Sequence, residues 1–248
     1  MKLSIVVPCY NEASRLNTSK DLFYRLDRIK SINDNISNCV EFIFVNDGST
    51  DNTYNIIHDF ITEYNLINWK IYSFSENRGK GEAISYGFSK SKSDYVGFMD
   101  ADLAVPISTI YSVLPLLNKK TCFIASRYVK GSRIATKRPF IRRLVSKISR
   151  LITKYVFGLK VTDTQCGFKV FPSGGIHLVD SFSLKSRWLY DIELLYGMQV
   201  LGYKFKELGV TWLNDEDTSR LSLNSHFSNI LHDFVSIFNN CKTMKELL

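Results

Sequence analysis

Short apolar segments alternate with amphipathic segments along the first half of the chain, and this alternation limits the possible folds more than any other feature. The apolar runs, rich in β-branched and aromatic residues, fall at residues 3–7, 40–45, 69–74, 95–99 and 122–125. Apolar residues at helical spacing predict helices at 14–32, 51–61, 81–90, 106–117, 188–201 and 227–238. A β-α-β-α order predicts a largely parallel sheet flanked by helices. Further strands near 168–171 and 204–212 would make the sheet mixed.

The composition is that of a globular protein with a buried core. Hydrophobic residues make up 45% of the chain and charged residues 23%, which excludes an intrinsically disordered chain, collagen and a coiled coil. No internal repeat or flexible linker interrupts the 248 residues. We therefore expect one domain over residues 1–220, followed by an amphipathic helix within 221–248.

The sequence also bears on cellular location. No apolar run approaches the roughly 18 residues of a spanning helix, and Pro8 interrupts the first run, so we expect neither a membrane span nor a signal peptide. The five cysteines are scattered and lack CxxC spacing. They predict reduced thiols in the cytoplasm and neither a zinc site nor a disulfide framework.

Polar clusters follow four successive predicted strands. They lie at residues 8–12, 46–51, 76–81 and 100–102. In open parallel sheets, ligands bind outside the carboxyl ends of the strands. Four polar clusters at that edge therefore predict a binding site.

The cluster Asp100-Ala101-Asp102 predicts a metal site. Alternate residues of an extended backbone point the same way, so both carboxylates can face one cation. Mg²⁺ and Mn²⁺ prefer one or two carboxylates together with phosphate oxygens. An isolated pair of turn aspartates would be the plain alternative, but this pair directly follows a buried strand.

Two further clusters favour a nucleotide. Residues 78–81 read Arg-Gly-Lys-Gly before a predicted helix, and cations beside a helix N-terminus favour a phosphate. Neither a P-loop nor a Rossmann fingerprint is present. Asp47 either accepts hydrogen bonds from a nucleobase or ribose, or serves only as a turn and capping residue.

The positive charge is confined to one segment. The chain carries a net charge of +8, and residues 137–160 contain eight basic residues and no acidic one. Apolar residues recur at helical spacing over 140–156. The pattern predicts a basic amphipathic helix, which either docks on the core, lies on an anionic membrane surface or binds nucleic acid. The single sign of charge favours the membrane, and the lack of an aromatic stacking platform disfavours nucleic acid.

Seven motifs follow one another in order: SIVVPCYNEA, FIFVNDGSTDNT, ENRGKGEA, FMDADLAVP, ASRYVKGSR, TDTQCGFKVF and RWLYDIELL. The first four resemble the family-2 glycosyltransferases, which bind nucleotide sugars in a GT-A fold. The last three resemble the branch that transfers a sugar to a polyprenyl phosphate, most closely the dolichyl-phosphate β-glucosyltransferases. The resemblance extends from about residue 3 to residue 220.

The resemblance implies an inverting transfer of a hexose, most readily glucose, from a UDP-sugar to a polyprenyl phosphate on the cytoplasmic face of a membrane. The implied nucleotide-sugar residues are Pro8, Tyr10, Glu12, Asp47, Lys80, Asp100, Ala101 and Asp102. Asp102, with Asp100, would bind Mg²⁺ or Mn²⁺. Contacts to acceptor or donor phosphate are implied for Arg127, Arg133, Ser219 and Arg220. Asp191 is the first candidate for a catalytic base and Asp163 the second.

The sequence departs from the family pattern in three respects. Asn46 stands where many members have aspartate, and Ala104 stands where many mannosyl-transferring relatives have a glutamine that could be a third metal ligand. The spanning helices of several relatives are absent. The basic helix is then the candidate for reaching the lipid.

Other functions stay open from the sequence. A transferase acting on a hydroxyl of a polysaccharide or lipid-linked oligosaccharide would share the donor motifs. A nucleotide-sugar sensor would bind without turnover, although the intact pair of aspartates disfavours it. The oligomeric state and the donor sugar are not determined by these motifs.

Overall fold

The computed structural model describes residues 2–18, 39–134, 140–185, 189–212 and 227–247. The predicted helix at 14–32 is described only through its beginning. Ser219, Arg220 and the predicted domain boundary between 220 and 221 lie outside the described residues.

Nine strands are described. They are β1 (Leu3–Cys9), β2 (Val40–Asn46), β3 (Trp69–Ser73), β4 (Tyr95–Met99), β5 (Thr121–Ser126), β6 (Arg133–Ile134), β7 (Phe168–Pro172), β8 (Lys204–Gly209) and β9 (Thr211–Trp212). The described helices are α1 (Ala13–Thr18), α2 (Thr53–Glu63), α3 (Lys80–Lys90), α4 (Thr109–Val113), α5 (Phe140–Tyr155), α6 (Ser173–Phe182), α7 (Tyr190–Val200) and α8 (Phe227–Leu247). A short 3-10 helix, Leu114–Leu116, follows α4.

Seven strands form one sheet in the order β3-β2-β1-β4-β7-β5-β8. Strands β1 to β4 pair in parallel, as do β5 and β8, whereas β7 runs antiparallel to both β4 and β5. The sheet confirms the predicted mixed, mostly parallel α/β architecture. Strands β6 and β9 form a separate parallel pair.

Helices cover both faces of the large sheet. Because alternate residues of a strand face opposite sides, Ile5 and Val7 enter the core beneath α2 and α4, while Val6 enters the core beneath α3, α6 and α7. Helix α8 packs on α7 and buries Ile237 and Cys241 in this second core. Because both faces of the sheet are packed, the polar loops lie at the ends of the strands.

The structure differs from the expected helices in three places. Helix α6 was not expected, because Gly174 and Gly175 at its start disfavour a helix. The helix expected over 106–117 is shorter and ends in the 3-10 turn that contains Pro115, which lacks a backbone N–H. The C-terminal helix extends beyond the expected end at residue 238, to Leu247.

Candidate active site

The loops after β1, β2 and β4 meet at one edge of the sheet. The backbone N–H of Asn11 donates to Ser49 Oγ at 2.9 Å, which joins the loops after β1 and β2. The N–H of Asp100 donates to the carbonyl of Gly167 at 2.9 Å, which joins the loop after β4 to the segment before β7. The predicted clustering at the carboxyl edge is therefore present.

Asp47 holds the loop that precedes α3. Its buried carboxylate accepts hydrogen bonds from the backbone N–H groups of Arg78 at 2.7 Å and Gly79 at 2.9 Å, and from the side-chain amide of Asn77 at 2.8 Å. Gly48 is required beside it: φ is +63°, and an added Cβ would lie 2.2 Å from the backbone carbon of Glu76. Asp47 thus shapes the loop that leads to Lys80.

Lys80 and Asp100 form an ion pair across the edge. Lys80 Nζ lies 2.7 Å from Asp100 Oδ1, and about a third of each side chain is exposed (31% and 35%). Burial disfavours both charges, but each stabilises the other, so the pKa of Asp100 is lowered and that of Lys80 is raised. An added Cβ at Gly167 would lie 2.1 Å from Asp100 Oδ2, so glycine leaves room for this carboxylate in its present position.

Asp102 lies at the surface, two residues beyond Asp100. Its Oδ1 accepts a hydrogen bond from the backbone N–H of Ala104 at 3.0 Å. Leu103, between Asp102 and Ala104, is buried and has a positive φ of 50°, which is uncommon for a branched residue. The sharp turn directs a buried side chain inward while Asp102 stays accessible.

Asp163 is paired with Arg127. The guanidinium donates from Nε to Oδ2 at 2.8 Å and from Nη2 to Oδ1 at 2.7 Å, and the Arg127 backbone N–H adds a third bond at 2.9 Å. Burial would raise the pKa of Asp163, but the hydrogen bonds and charge of Arg127 lower it. A carboxylate with a lowered pKa and three donors is a poor proton acceptor, which weighs against Asp163 as a base.

Asp191 is paired with a buried lysine that the sequence analysis did not single out. Lys169 Nζ lies 2.5 Å from Asp191 Oδ1 and donates to the carbonyl of Cys166 at 2.8 Å. Lys169 is fully buried within β7, and Asp191 is nearly so at the start of α7. A lysine within an otherwise apolar strand is unusual, and this was the available sequence signal.

The other predicted residues are spread more widely. Pro8 ends the apolar run of β1, Tyr10 is exposed just after that strand, and Glu12 is buried, with its backbone N–H donating to Thr53 Oγ1 at 2.7 Å. Ala101 is half-buried between the two aspartates. Arg133 is exposed on β6, in the small separate pair of strands.

Comparison with known proteins identifies the family. The family model described as "Glycosyl transferase family 2" matches residues 4–176, more than half of the chain. The chain belongs to glycosyl transferase family 2. This family-2 glycosyltransferase is 29% identical to dolichyl-phosphate beta-glucosyltransferase of Dictyostelium discoideum, over 95% of this chain and 73% of that protein. It is 30% identical to dolichyl-phosphate beta-glucosyltransferase of Saccharomyces cerevisiae, over 89% of this chain and 69% of that protein.

Solved structures confirm the predicted GT-A fold. Glucosyl-3-phosphoglycerate synthase from Mycobacterium tuberculosis, in complex with Mn²⁺, UDP and phosphoglyceric acid, superposes with a TM-score of 0.66 at 17% identity. That match covers 96% of this chain and 78% of the synthase chain. The glycosyltransferase spans 60% of the S. aureus TarS 1-349 chain, which it matches with a TM-score of 0.56 and 16% identity.

The acidic pair of the glycosyltransferase fits a hard divalent cation. Asp100 and Asp102 offer carboxylate oxygens, the ligands that Mg²⁺ and Mn²⁺ prefer. Among the described residues, no group of three or more His, Cys, Asp or Glu side chains could hold a metal ion. A cation held by this pair would need its remaining ligands from a bound diphosphate or water.

Helix α5 presents apolar and basic side chains to solvent. In its described part, Ile148, Leu151 and Tyr155 are exposed, Tyr155 by 73%, and Lys147 and Lys154 are exposed beside them. We call these five residues the α5 surface. None of the described helices is long and apolar enough to cross a membrane.

The paired Asp163 gives a stability prediction. Its pKa is lower in the folded protein than in the unfolded chain, so the stabilisation is present above about pH 4 and is lost as the pH falls through the folded pKa. Asp163→Asn leaves the Arg127 cation without its counter-charge. We expect the free energy of unfolding at pH 7 to fall by about 3 kcal/mol, with a deficit that shrinks below about pH 4.

Urea unfolding over a pH series measures this deficit. Asp59→Asn is the matched control, since Asp59 is an exposed aspartate on α2, and it should change stability little at any pH. A deficit for Asp163→Asn that does not depend on pH would contradict the electrostatic origin.

Proposed function

We propose that this glycosyltransferase transfers glucose from UDP-glucose to a polyprenyl phosphate at a membrane surface, with inversion at the anomeric carbon. The observation that carries the proposal is the edge at which Asp100 and Asp102 lie beside Lys80, with Arg127 close enough to contribute to the lowered pKa of Asp100. The names of the two curated relatives support the choice of sugar and acceptor.

The donor would lie along the carboxyl ends of β1, β2 and β4. Pro8, Tyr10 and Glu12 border the region proposed for the uridine, and Asp47 fixes the adjoining loop. Because three donors already bind its carboxylate, Asp47 would act on the nucleotide mainly by positioning that loop. Lys80, the first residue of α3, would then approach the diphosphate.

Asp102 is the preferred residue to hold Mg²⁺ or Mn²⁺, with Asp100 as the second carboxylate. When bound, the cation supplies positive charge that stabilises the departing nucleoside diphosphate. Lys80 contributes positive charge at the same place, since its ammonium lies 2.7 Å from Asp100. A preorganised cation beside developing negative charge lowers the barrier without reorganisation during the reaction.

A phosphate acceptor makes a strong base unnecessary. The second pKa of a phosphate monoester is about 6, so it is mostly dianionic at neutral pH and already nucleophilic. This fits the geometry, because the carboxylates of Asp163 and Asp191 are both committed to cations. We infer that Asp191 shapes the electrostatic field together with Lys169, and that Asp163 positions Arg127 toward an incoming phosphate.

The alternative acceptor is a hydroxyl group of a saccharide. A hydroxyl must lose a proton during attack, so that reaction needs a general base within hydrogen-bond reach. Asp191 would be that base, and it would have to exchange its bond to Lys169 for one to the acceptor. The pairing of Asp191 makes the phosphate acceptor the better supported candidate.

The α5 surface is the proposed contact with the membrane. An amphipathic helix with exposed apolar and basic side chains lies in the interface of anionic lipids, and each basic residue near the surface adds about 1 kcal/mol. The stretch 137–160 carries no acidic residue that would oppose this attraction. Binding there would place the active site at the surface where a polyprenyl phosphate exposes its headgroup.

A donor and acceptor assay tests the proposed reaction. The enzyme is incubated with a panel of radiolabelled nucleotide sugars, undecaprenyl or dolichyl phosphate, and Mg²⁺ or Mn²⁺. We expect chloroform-extractable label from UDP-glucose. Asp102→Asn should lower kcat/KM by about 100- to 1,000-fold, since it removes charge stabilisation from the leaving group.

Asp94→Asn is the control for this assay. Asp94 precedes β4 and is exposed at the opposite edge of the sheet from Asp102, so its removal should leave kcat/KM unchanged. Label incorporated only into saccharide acceptors would reject the lipid-phosphate proposal, and nucleotide binding without any transfer would favour a sensor.

Vesicle flotation tests the membrane contact. We expect the protein to float with anionic vesicles at low salt, and Leu151→Glu to abolish flotation because it places a carboxylate within the α5 surface. Ile67→Glu is the matched control, since Ile67 is 80% exposed in the loop between α2 and β3. Equal loss of flotation in both variants would argue against α5 as the contact.

A further inference from the structure

Arg150 connects α5 to the active site through one aromatic ring. Its guanidinium carbon lies 3.6 Å from the centroid of the Tyr128 ring, and the guanidinium carbon of Arg127 lies 5.6 Å from the same centroid. The two cations therefore lie against one side chain. Arg127 also pairs with Asp163, four residues before Gly167, whose carbonyl accepts a hydrogen bond from the backbone N–H of Asp100. This ring therefore lies near the proposed donor site.

The guanidinium groups of Arg127 and Arg150 differ in their hydrogen-bond partners. Arg127 donates to Asp163 through both Nε and Nη2. Arg150 Nη1 is buried and has no hydrogen-bond partner among the described residues. A buried donor without a partner is costly, and more so when it is charged. Such a group in a folded protein calls for an explanation, and a bound ligand is one.

The surroundings of Arg150 favour an anionic partner. It lies in a stretch of 24 residues, 137–160, that contains no acidic side chain. Stacking on Tyr128 holds the guanidinium plane in place, and a guanidinium held in this way binds phosphate oxygens through its fork of donors. Leu151, the next residue, belongs to the exposed α5 surface.

We propose that Arg150 binds the phosphate group of the polyprenyl acceptor, and that the prenyl chain extends from there along the α5 surface. This inference rests on the proposed function and adds a specific acceptor-binding residue to it. Arg150 and Arg127 would approach the phosphate from α5 and from the loop after β5. Together they would offset the repulsion between the acceptor and the donor diphosphate.

Steady-state kinetics with a short acceptor test the assignment. Farnesyl phosphate in buffer without vesicles separates phosphate binding from membrane binding. We expect Arg150→Gln to raise KM for farnesyl phosphate by about 10- to 100-fold, the effect of losing a charge-assisted hydrogen bond. KM for UDP-glucose should stay within about twofold of the wild-type value. For Arg150→Lys, KM for farnesyl phosphate should lie between those of the wild type and Arg150→Gln, since lysine keeps the charge but lacks the planar fork of donors.

Two controls accompany these variants. Lys92→Gln removes one positive charge from the exposed loop before β4, at the opposite edge of the sheet, and should change neither KM. Thermal melting without substrates reports folding. We expect Arg150→Gln to melt no lower than about 3 °C below the wild type, because the variant also removes a buried guanidinium nitrogen that lacks a hydrogen-bond partner among the described residues.

The outcomes are distinguishable. If the wild-type enzyme glucosylates no prenyl phosphate, the proposed function itself fails. If the wild type is active and both Arg150 variants keep the wild-type KM for farnesyl phosphate, the assignment of Arg150 is overturned. A raised KM for UDP-glucose alone would also overturn it, because Arg150 would then serve the donor. If Arg150→Gln does not fold, Arg150→Lys decides by the same KM comparison.

Discussion

Pairing of opposite charges at the carboxyl edge of the sheet is the interaction on which the site depends. Three lysine or arginine side chains each bind one aspartate there: Lys80 with Asp100, Arg127 with Asp163 and Lys169 with Asp191. A buried charge without a partner would destabilise the fold by several kcal/mol. Pairing lets the chain concentrate six ionised groups where two anionic substrates must meet.

The pairs are not equivalent, and the difference assigns them roles. Arg127–Asp163 and Lys169–Asp191 are buried and further fixed by backbone hydrogen bonds, so they form a rigid base for the site. Lys80–Asp100 is about one third exposed, and it can exchange partners when a diphosphate and a cation arrive. In the proposed reaction the exposed pair binds the donor diphosphate and its cation. Arg127 and Arg150, which both lie against the ring of Tyr128, would bind the acceptor phosphate.

Local pattern was enough to predict the parts of this structure that are set by neighbouring residues. The apolar runs predicted β1 to β5, and the polar clusters after them predicted an edge that brings Asp47, Lys80 and Asp100 together. The antiparallel direction of β7 depends on which strands flank it, and periodicity carries no such information. Helix α6 was missed because propensity opposes a helix that tertiary packing stabilises.

The missed site residues have the same explanation. A partner for Lys169 exists only because β7 and the start of α7 meet in space, 22 positions apart in sequence. Arg150 could be read from the sequence only as one of eight basic residues. Its stacking on Tyr128 and its unsatisfied Nη1 depend on how α5 packs. The spacing of apolar and polar residues predicts which side chains share a face of a helix, but it does not predict which residues pack against that face.

A crystal structure with UDP and Mn²⁺ tests the central claim most directly. The account predicts Mn²⁺ bound between Asp102 and the diphosphate, Lys80 turned from Asp100 toward a phosphate oxygen, and the Arg127–Asp163 pair unchanged. A diphosphate bound elsewhere, with Asp100 and Asp102 directed away from it and Lys80 still on Asp100, would contradict the account.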